Sequence, residues 1–265
     1  MNREPGKPEE DDPTEDPEAG EGKEGANEAE GAEAAPGDNG DDDIMARDGI
    51  ERFKRREHVM VIDVGIANQG GSPLLLDAMG PQTIVDVLIR GERKPPDRTA
   101  PLRDMATKKL YFDPDDPDSK RQLLGFPTMN LLACLAEAAR GIKVGRGGIS
   151  TADTTKLFAF LSIDREFLRF PDGTEWIHDV RRGMQRAGSG PGTAVGIVRP
   201  KFKKWTTEFV MTLKLHELAG LTERHVYDMF LLAGAAIGLC SFRGGCRGPF
   251  GKFQITKWRV TSVRK

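Results

Sequence analysis

Trp205-Thr-Thr-Glu-Phe-Val-Met-Thr-Leu-Lys-Leu215 alternates apolar and polar side chains at a period of two, the pattern of a strand with one buried face. Thr222 then stands where a helix N-cap belongs, and Val226, Met229, Phe230, Ala233 and Ile237 recur at helical spacing to make one apolar face. The Gly-rich run from Gly238 to Gly251 stops that helix and delivers the chain into a last strand, Lys252 to Val260.

Upstream, the same grammar repeats. His58 to Ile66 interleaves Val59, Val61, Asp63 and Gly65 with Met60, Ile62, Val64 and Ile66, and reads as a first strand. Thr128 caps a predicted helix with the stripe Met129, Leu131, Leu132, Leu135 and Ala138, and Leu157 to Ile163 reads as a further strand. The order strand, helix, strand, strand, helix, strand predicts an α+β fold with a ferredoxin-like (split βαβ) core. Long insertions follow the first strand and separate the two central ones. In the first insertion Thr83 to Ile89 and Lys109 to Phe112 read as short strands. The second carries Arg181, Arg182 and Arg186 into Ala187-Gly-Ser-Gly-Pro-Gly-Thr193, which suits a flexible loop or hairpin tip. Lys143-Val-Gly-Arg-Gly-Gly148 reads as a mobile basic loop.

Charge divides the chain. Residues 1–43 hold 17 Asp or Glu against three basic residues, with Met1 the only large apolar side chain. Such a segment cannot bury enough apolar area to offset the ordering of its backbone, so a disordered acidic tail is expected over residues 1–46. The expected domain is 47–265. Beyond residue 43 stand 36 basic and 24 acidic residues, so the overall charge of −2 conceals a cationic body. A cationic body with a tethered polyanion suits a nucleic-acid binder whose tail screens the basic face, and a solubility role is the alternative for the tail.

Several classes are disfavoured. Cys134, Cys240 and Cys246 are odd in number and lack the spacing of a disulfide framework or a zinc site. No apolar run approaches the roughly 20 residues of a membrane span, and the acidic N-terminus is unlike a signal peptide, so a cytoplasmic location in a bacterial host cell is expected. Neither metal nor cofactor is expected. His58, His178, His216 and His225 sit in no nucleophile or metal motif, and the acidic cluster Asp113, Asp115, Asp116 and Asp118 lacks the glycine and distal glutamate of a calcium loop.

Two segments could hold anions. In Ile197-Val-Arg-Pro-Lys-Phe-Lys-Lys-Trp205 the cations Arg199, Lys201, Lys203 and Lys204 surround Phe202 and Trp205, a mixture that grips phosphates while rings stack on bases. The competing reading packs the rings inside the sheet, and for Trp205 it is favoured. The Gly-rich run contributes Gly238, Gly244, Gly245, Gly248 and Gly251 with Arg243, Arg247 and Lys252. It is no Walker loop, because it leaves a helix C-terminus and Phe253 stands where Ser or Thr would bind magnesium. An anion there would rest on the three cations and on loop amides; for the glycines alone, a helix stop is an equal reading.

Arg199-Pro-Lys-Phe-Lys-Lys-Trp205, Ala233-Gly, Ile237-Gly-Leu, Phe242-Arg and Gly248-Pro-Phe-Gly-Lys-Phe253 together resemble a family of largely uncharacterised phage and prophage proteins. Their pattern runs from an RPRF-like strand start through AG…GLG to FRP…GPFGRF. Cys240 stands where that pattern has a second glycine, Lys252 replaces an arginine, and Gly244 interrupts the expected proline. More distantly, a ferredoxin-like core whose second helix enters a Gly-rich loop is similar to the RAMP superfamily, the RNA-binding subunits of CRISPR effector complexes. That resemblance implies RNA near Arg243, Arg247, Lys252 and a hairpin tip at Gly188 to Gly192.

The leading expectation is therefore a non-catalytic protein, phage-encoded, that holds single-stranded DNA or RNA in a basic groove formed by the sheet, the Gly-rich loop and the hairpin. Self-association along the strand is compatible with it. A RAMP-type metal-independent RNA endonuclease using one of the histidines is the enzyme alternative, and a phage structural or host-interaction protein is the third.

Overall fold

A computed structural model describes Glu51 and residues 57–79, 85–91, 99–111, 124–185, 193–244 and 248–264. The acidic segment 1–46 lies outside the described residues. Strands β1 (Glu57–Asn68) and β2 (Leu74–Leu75) are followed by a π-helical turn at Val85–Ile89 and helix α1 (Leu102–Thr107). β3 (Gly125–Pro127) leads into α2 (Thr128–Ala138), and then come β4 (Lys143–Val144), β5 (Gly147–Gly148), α3 (Leu157–Phe160), β6 (Leu161–Ile163) and β7 (Phe167–Arg169). β8 (Ile177–Gln185) and β9 (Thr193–Phe202) precede β10 (Thr206–His216), α4 (Glu223–Leu232), its π-helical extension Ala233–Ile237, and β11 (Phe253–Arg264).

The central sheet has the order β11-β1-β10-β6, every neighbouring pair antiparallel. α2 joins β1 to β6 and α4 joins β10 to β11, and each connection skips the one strand that lies between its ends. That is the ferredoxin-like arrangement, and the α+β reading of the sequence, with a split βαβ core and long insertions, holds. Period two decides which face is buried. Ile62, Val64 and Ile66 of β1 and Phe209, Met211, Leu213 and Leu215 of β10 point inward, against Leu131, Cys134 and Leu135 of α2 and Val226, Met229 and Phe230 of α4. On the other face Glu208, Val210, Thr212 and Lys214 alternate outward, and Lys257 Nζ lies 2.9 Å from Glu208 Oε2. The Phe and Trp side chains of these four strands, Phe209, Phe253 and Trp258, pack on the covered side.

The second insertion is a long hairpin. β8 and β9 pair from Ile177↔Lys201 to Gln185↔Thr193, and β2 joins β9 through Leu74↔Phe202. The expected tip, Gly188 to Gly192, lies outside the described residues, as does Arg186.

Four local expectations need correction. Leu157–Phe160 is a helical turn rather than the start of a strand, with Leu157 and Phe160 buried and Phe158 exposed. Four apolar residues in a row carry no period, so either element fits the sequence, and burial of the first and fourth selects the helix. Val85–Ile89 is a π-helical turn, and Lys109 closes the turn after α1 through its N–H to the Ala106 carbonyl at 2.9 Å, so the described residues of neither expected segment form a strand; Thr83, Ile84 and Phe112 lie outside them. Lys143 to Gly148 is a small β-hairpin. Thr222 does cap α4, with its N–H donating to His225 Nδ1 at 3.1 Å.

Candidate nucleic-acid interface

The Arg199 to Trp205 segment sits where β9 bends into β10. Phe202 and Trp205 turn inward, 0% and 3% exposed, and build an aromatic cluster with Phe126 and Phe170. Ring centroids lie 5.0 Å apart for Phe170 and Phe202 and 6.4 Å for Phe126 and Trp205. These rings are core, so neither can stack on a base; for Phe202 that corrects the expectation. Between them Lys203 and Lys204 have nowhere to go but solvent. The rings anchor the bend, and the anchored bend holds the lysines outward.

Lys201, Lys203 and Lys204 line one open cleft of about 830 Å³. Across it stand Arg103 from α1 and Trp176 from the turn ahead of β8, with the Arg103 guanidinium 4.3 Å from the Trp176 ring centroid. Lys203 and Lys204 make no ion pair among the described residues. Lys201 Nζ reaches Asp179 Oδ1 at 3.2 Å and lies 5.8 Å from the Phe250 ring centroid. Among the described residues Glu175 is the only carboxylate lining the cleft, against four cations, so their combined field there is positive. Sequence reasoning missed Arg103 and Trp176. The second had a signal, a tryptophan inside the polar turn Asp172-Gly-Thr-Glu-Trp176.

Two of the other candidate cations, Arg199 and Arg243, have local partners. Arg199 is ion-paired with Asp77 and its guanidinium lies 4.7 Å from the Phe242 ring centroid, with Nε and Nη1 buried and unpartnered. Burial works to raise the Asp77 carboxyl, and hydrogen bonds and charge from Arg199 and Lys109 overcome it, leaving the pKa below the ordinary carboxylate value. Asp179 follows the same pattern, with Arg181 and Lys201 overcoming burial. Arg243 Nη2 lies 3.2 Å from Glu137 Oε2 and ties the Gly-rich loop to α2. Lys252 is exposed without an ion pair among the described residues, and Arg247 and Gly245 lie outside them.

The Gly-rich loop turns inward. The N–H groups of Gly238, Leu239, Ser241, Gly248, Phe250 and Gly251 donate to the carbonyls of Ala233, Gly251, Leu75, Arg243, Phe242 and Pro73, at 2.8–3.2 Å. The Lys252 N–H donates to Ser72 Oγ at 3.2 Å. A Cβ on Gly248 would overlap the Phe242 carbonyl, and one on Gly251, whose φ is 74°, the Leu239 carbonyl. Gly244 lies equally close to the Ala236 carbonyl, and Gly238 caps the helix end at φ 78°. Backbone packing accounts for these glycines, and the amides that donate inside the protein are closed to an anion.

The histidines do not gather. His58 Nε2 lies 3.0 Å from Glu217 Oε1, His225 caps α4, His178 is exposed on β8 and His216 ends β10. Burial pushes the Cys134 and Cys240 thiols up to about 12, which keeps them protonated, and the Cys134 thiol donates to the Gly238 carbonyl at 3.1 Å. Among the described residues no group of three or more His, Cys, Asp or Glu is placed to hold a metal, and no helix is long and apolar enough to cross a membrane.

No protein-family model and no curated protein matches the chain. Among solved structures, a chain of the Type III-B Cmr-beta complex bound to cognate target RNA aligns with a TM-score of 0.42 and 13% identity, over 85% of this chain and 68% of that one. A likeness at that level has no functional weight; the cleft has to be judged on its own residues.

Proposed function

We propose that this protein holds single-stranded nucleic acid, DNA or RNA, in the cleft at the β9–β10 bend, and does so without chemistry of its own. The observation that carries the reading is the convergence of Lys201, Lys203, Lys204 and Arg103 on one open cleft with a single carboxylate among its described lining residues. Lys203 and Lys204 are exposed, so neutralising phosphates costs them no internal ion pair. Lys252, exposed without an ion pair among the described residues, and Arg247, which lies outside them, are the further cations assigned to the ligand. Arg199 belongs to the site as its frame, since its pair with Asp77 holds β9, the strand that carries Lys201, while the Arg243–Glu137 pair holds the Gly-rich loop to α2.

The acidic residues 1–46 compete with the ligand for the same field and speed its release. The setting, a phage gene product in the cytoplasm of a bacterial host, rests on the motif resemblance.

Fluorescence-anisotropy titration of the full chain against labelled single-stranded DNA, single-stranded RNA and duplex DNA at several salt concentrations tests the proposal. Expected are preferential binding of a single strand with a steep negative salt slope, and tighter binding at low salt once residues 1–46 are removed. If no strand binds at low salt, with or without those residues, the proposal fails.

A further inference from the structure

We infer that Trp176 and Arg103 form a base-stacking subsite, so that the cleft takes a strand through an unpaired base as well as through its phosphates. The inference rests on the nucleic-acid reading of the cleft and narrows it.

The three tryptophans have different surroundings. Trp205 is core, 3% exposed. Trp258 is held by its Nε1–H donating to Glu223 Oε1 at 2.7 Å and by edge contacts with Tyr227 and Phe230 at centroid distances of 5.1 and 5.4 Å. Trp176 is half-buried, lines the cleft, and meets Arg103 above its ring. A guanidinium stacked on an indole is itself a flat, weakly hydrated surface whose second face can accept a base, or which a base can displace to reach the indole.

The polar groups set an orientation. Lys201, Lys203 and Lys204 draw the phosphates to their side, whereas Glu175, on the same turn as Trp176, repels phosphate and accepts a hydrogen bond from an N–H of a base edge, the ring N3–H of thymine or uracil included. The volume of about 830 Å³ falls within the roughly 300–1,000 Å³ of small-molecule sites, room for a base with its sugar and phosphate. A duplex keeps its base faces stacked inside and cannot use such a platform without unpairing. The Phe and Trp rings of the central sheet's strands, Phe209, Phe253 and Trp258, pack on its covered side and offer no rival platform.

Titration of the full chain with oligothymidylate and oligouridylate, followed by tryptophan fluorescence and by anisotropy, decides the matter. The wild type should show quenching on binding, and Trp176→Phe, which retains Trp205 and Trp258, should lose most of it. Trp176→Ala should weaken binding about tenfold, the scale of one base–aromatic stack, with an unchanged salt slope because the phosphate contacts survive. Arg103→Lys keeps the charge but loses the plane and should fall in the same direction. An abasic strand should bind Trp176→Ala as well as it binds the wild type. If Trp176→Ala binds oligothymidylate and oligouridylate as tightly as the wild type, or loses affinity for the abasic strand equally, stacking on Trp176 is wrong while the lysine cleft stands. Failure of the wild type to bind any strand removes the cleft reading and this inference together.

Discussion

Two segments of this chain advertise anion binding, and the structure treats them oppositely. The Gly-rich loop, Gly238 to Gly251, turns its amides inward onto carbonyls of the residues 73–75 segment, the α4 end and itself. The β9–β10 bend turns two rings inward and in consequence sends Lys203 and Lys204 outward. Glycine content measures how closely backbone can approach backbone, and only free N–H groups convert that into anion binding. Cations between buried rings are a more direct sign, because the rings fix where the charges point.

The largest effect that separates the two segments is on stability. Gly248→Ala and Gly251→Ala force a Cβ into carbonyl oxygens that belong to backbone and cannot swing aside, and the second also places alanine at φ 74°. Each should cost about 3–5 kcal/mol in denaturant unfolding, whereas Gly147→Ala, with open space around it, should stay within about 0.5 kcal/mol. Unchanged stability with abolished binding for Gly251→Ala would make the loop an anion nest and break the comparison.

Arg199 and the Lys203–Lys204 pair split the same way at smaller scale. Arg199→Ala leaves Asp77 with Lys109 alone and uncovers the Phe242 ring, so it should destabilise by about 1–3 kcal/mol. Replacing both Lys203 and Lys204 by alanine should leave stability within about 0.5 kcal/mol and make the salt slope for single strands shallower by about 1.4. Exchange of these phenotypes would move the phosphate contact to Arg199 and deny it to the bend.

The sequence was readable where one period dominates. β1 and β10 alternate cleanly because they lie in the middle of the sheet with one face covered, and α2 and α4 show helical stripes because a single face of each is buried. α3 was not readable, since Leu157–Phe160 is too short and too apolar to show a period. Of the residues that line the cleft, Lys201, Lys203 and Lys204 were legible as a cationic cluster because they are contiguous with their anchoring rings. Arg103 and Trp176 join them only through tertiary packing of α1 and the pre-β8 turn, which no local pattern encodes. The inward closure of the Gly-rich loop was hidden for the same reason: its partners at Ser72, Pro73 and Leu75 lie far away in sequence.

The smallest expected effect couples the frame to the bend through Asp179. This carboxylate holds Arg181 and Lys201, and its pKa is lowered in the folded protein, so its contribution to stability is full above the ordinary carboxylate value of about 4 and is lost as pH falls through the folded value. Asp77 behaves alike with Arg199 and Lys109. Stability should therefore be flat on these groups' account from neutral pH down to about 5 and fall below it. Asp179→Asn should lower neutral-pH stability slightly and flatten part of the acid limb. It also frees Lys201 from its partner, and the released charge should tighten single-strand binding at low salt by roughly twofold, the scale of one exposed ion pair. Tightening with a steeper salt slope would show that Asp179 holds back a cation the cleft can use. Weaker binding with lost stability would show instead that Lys201, like Arg199, serves only the frame, and would leave Lys203, Lys204 and Arg103 as the cations that meet the ligand.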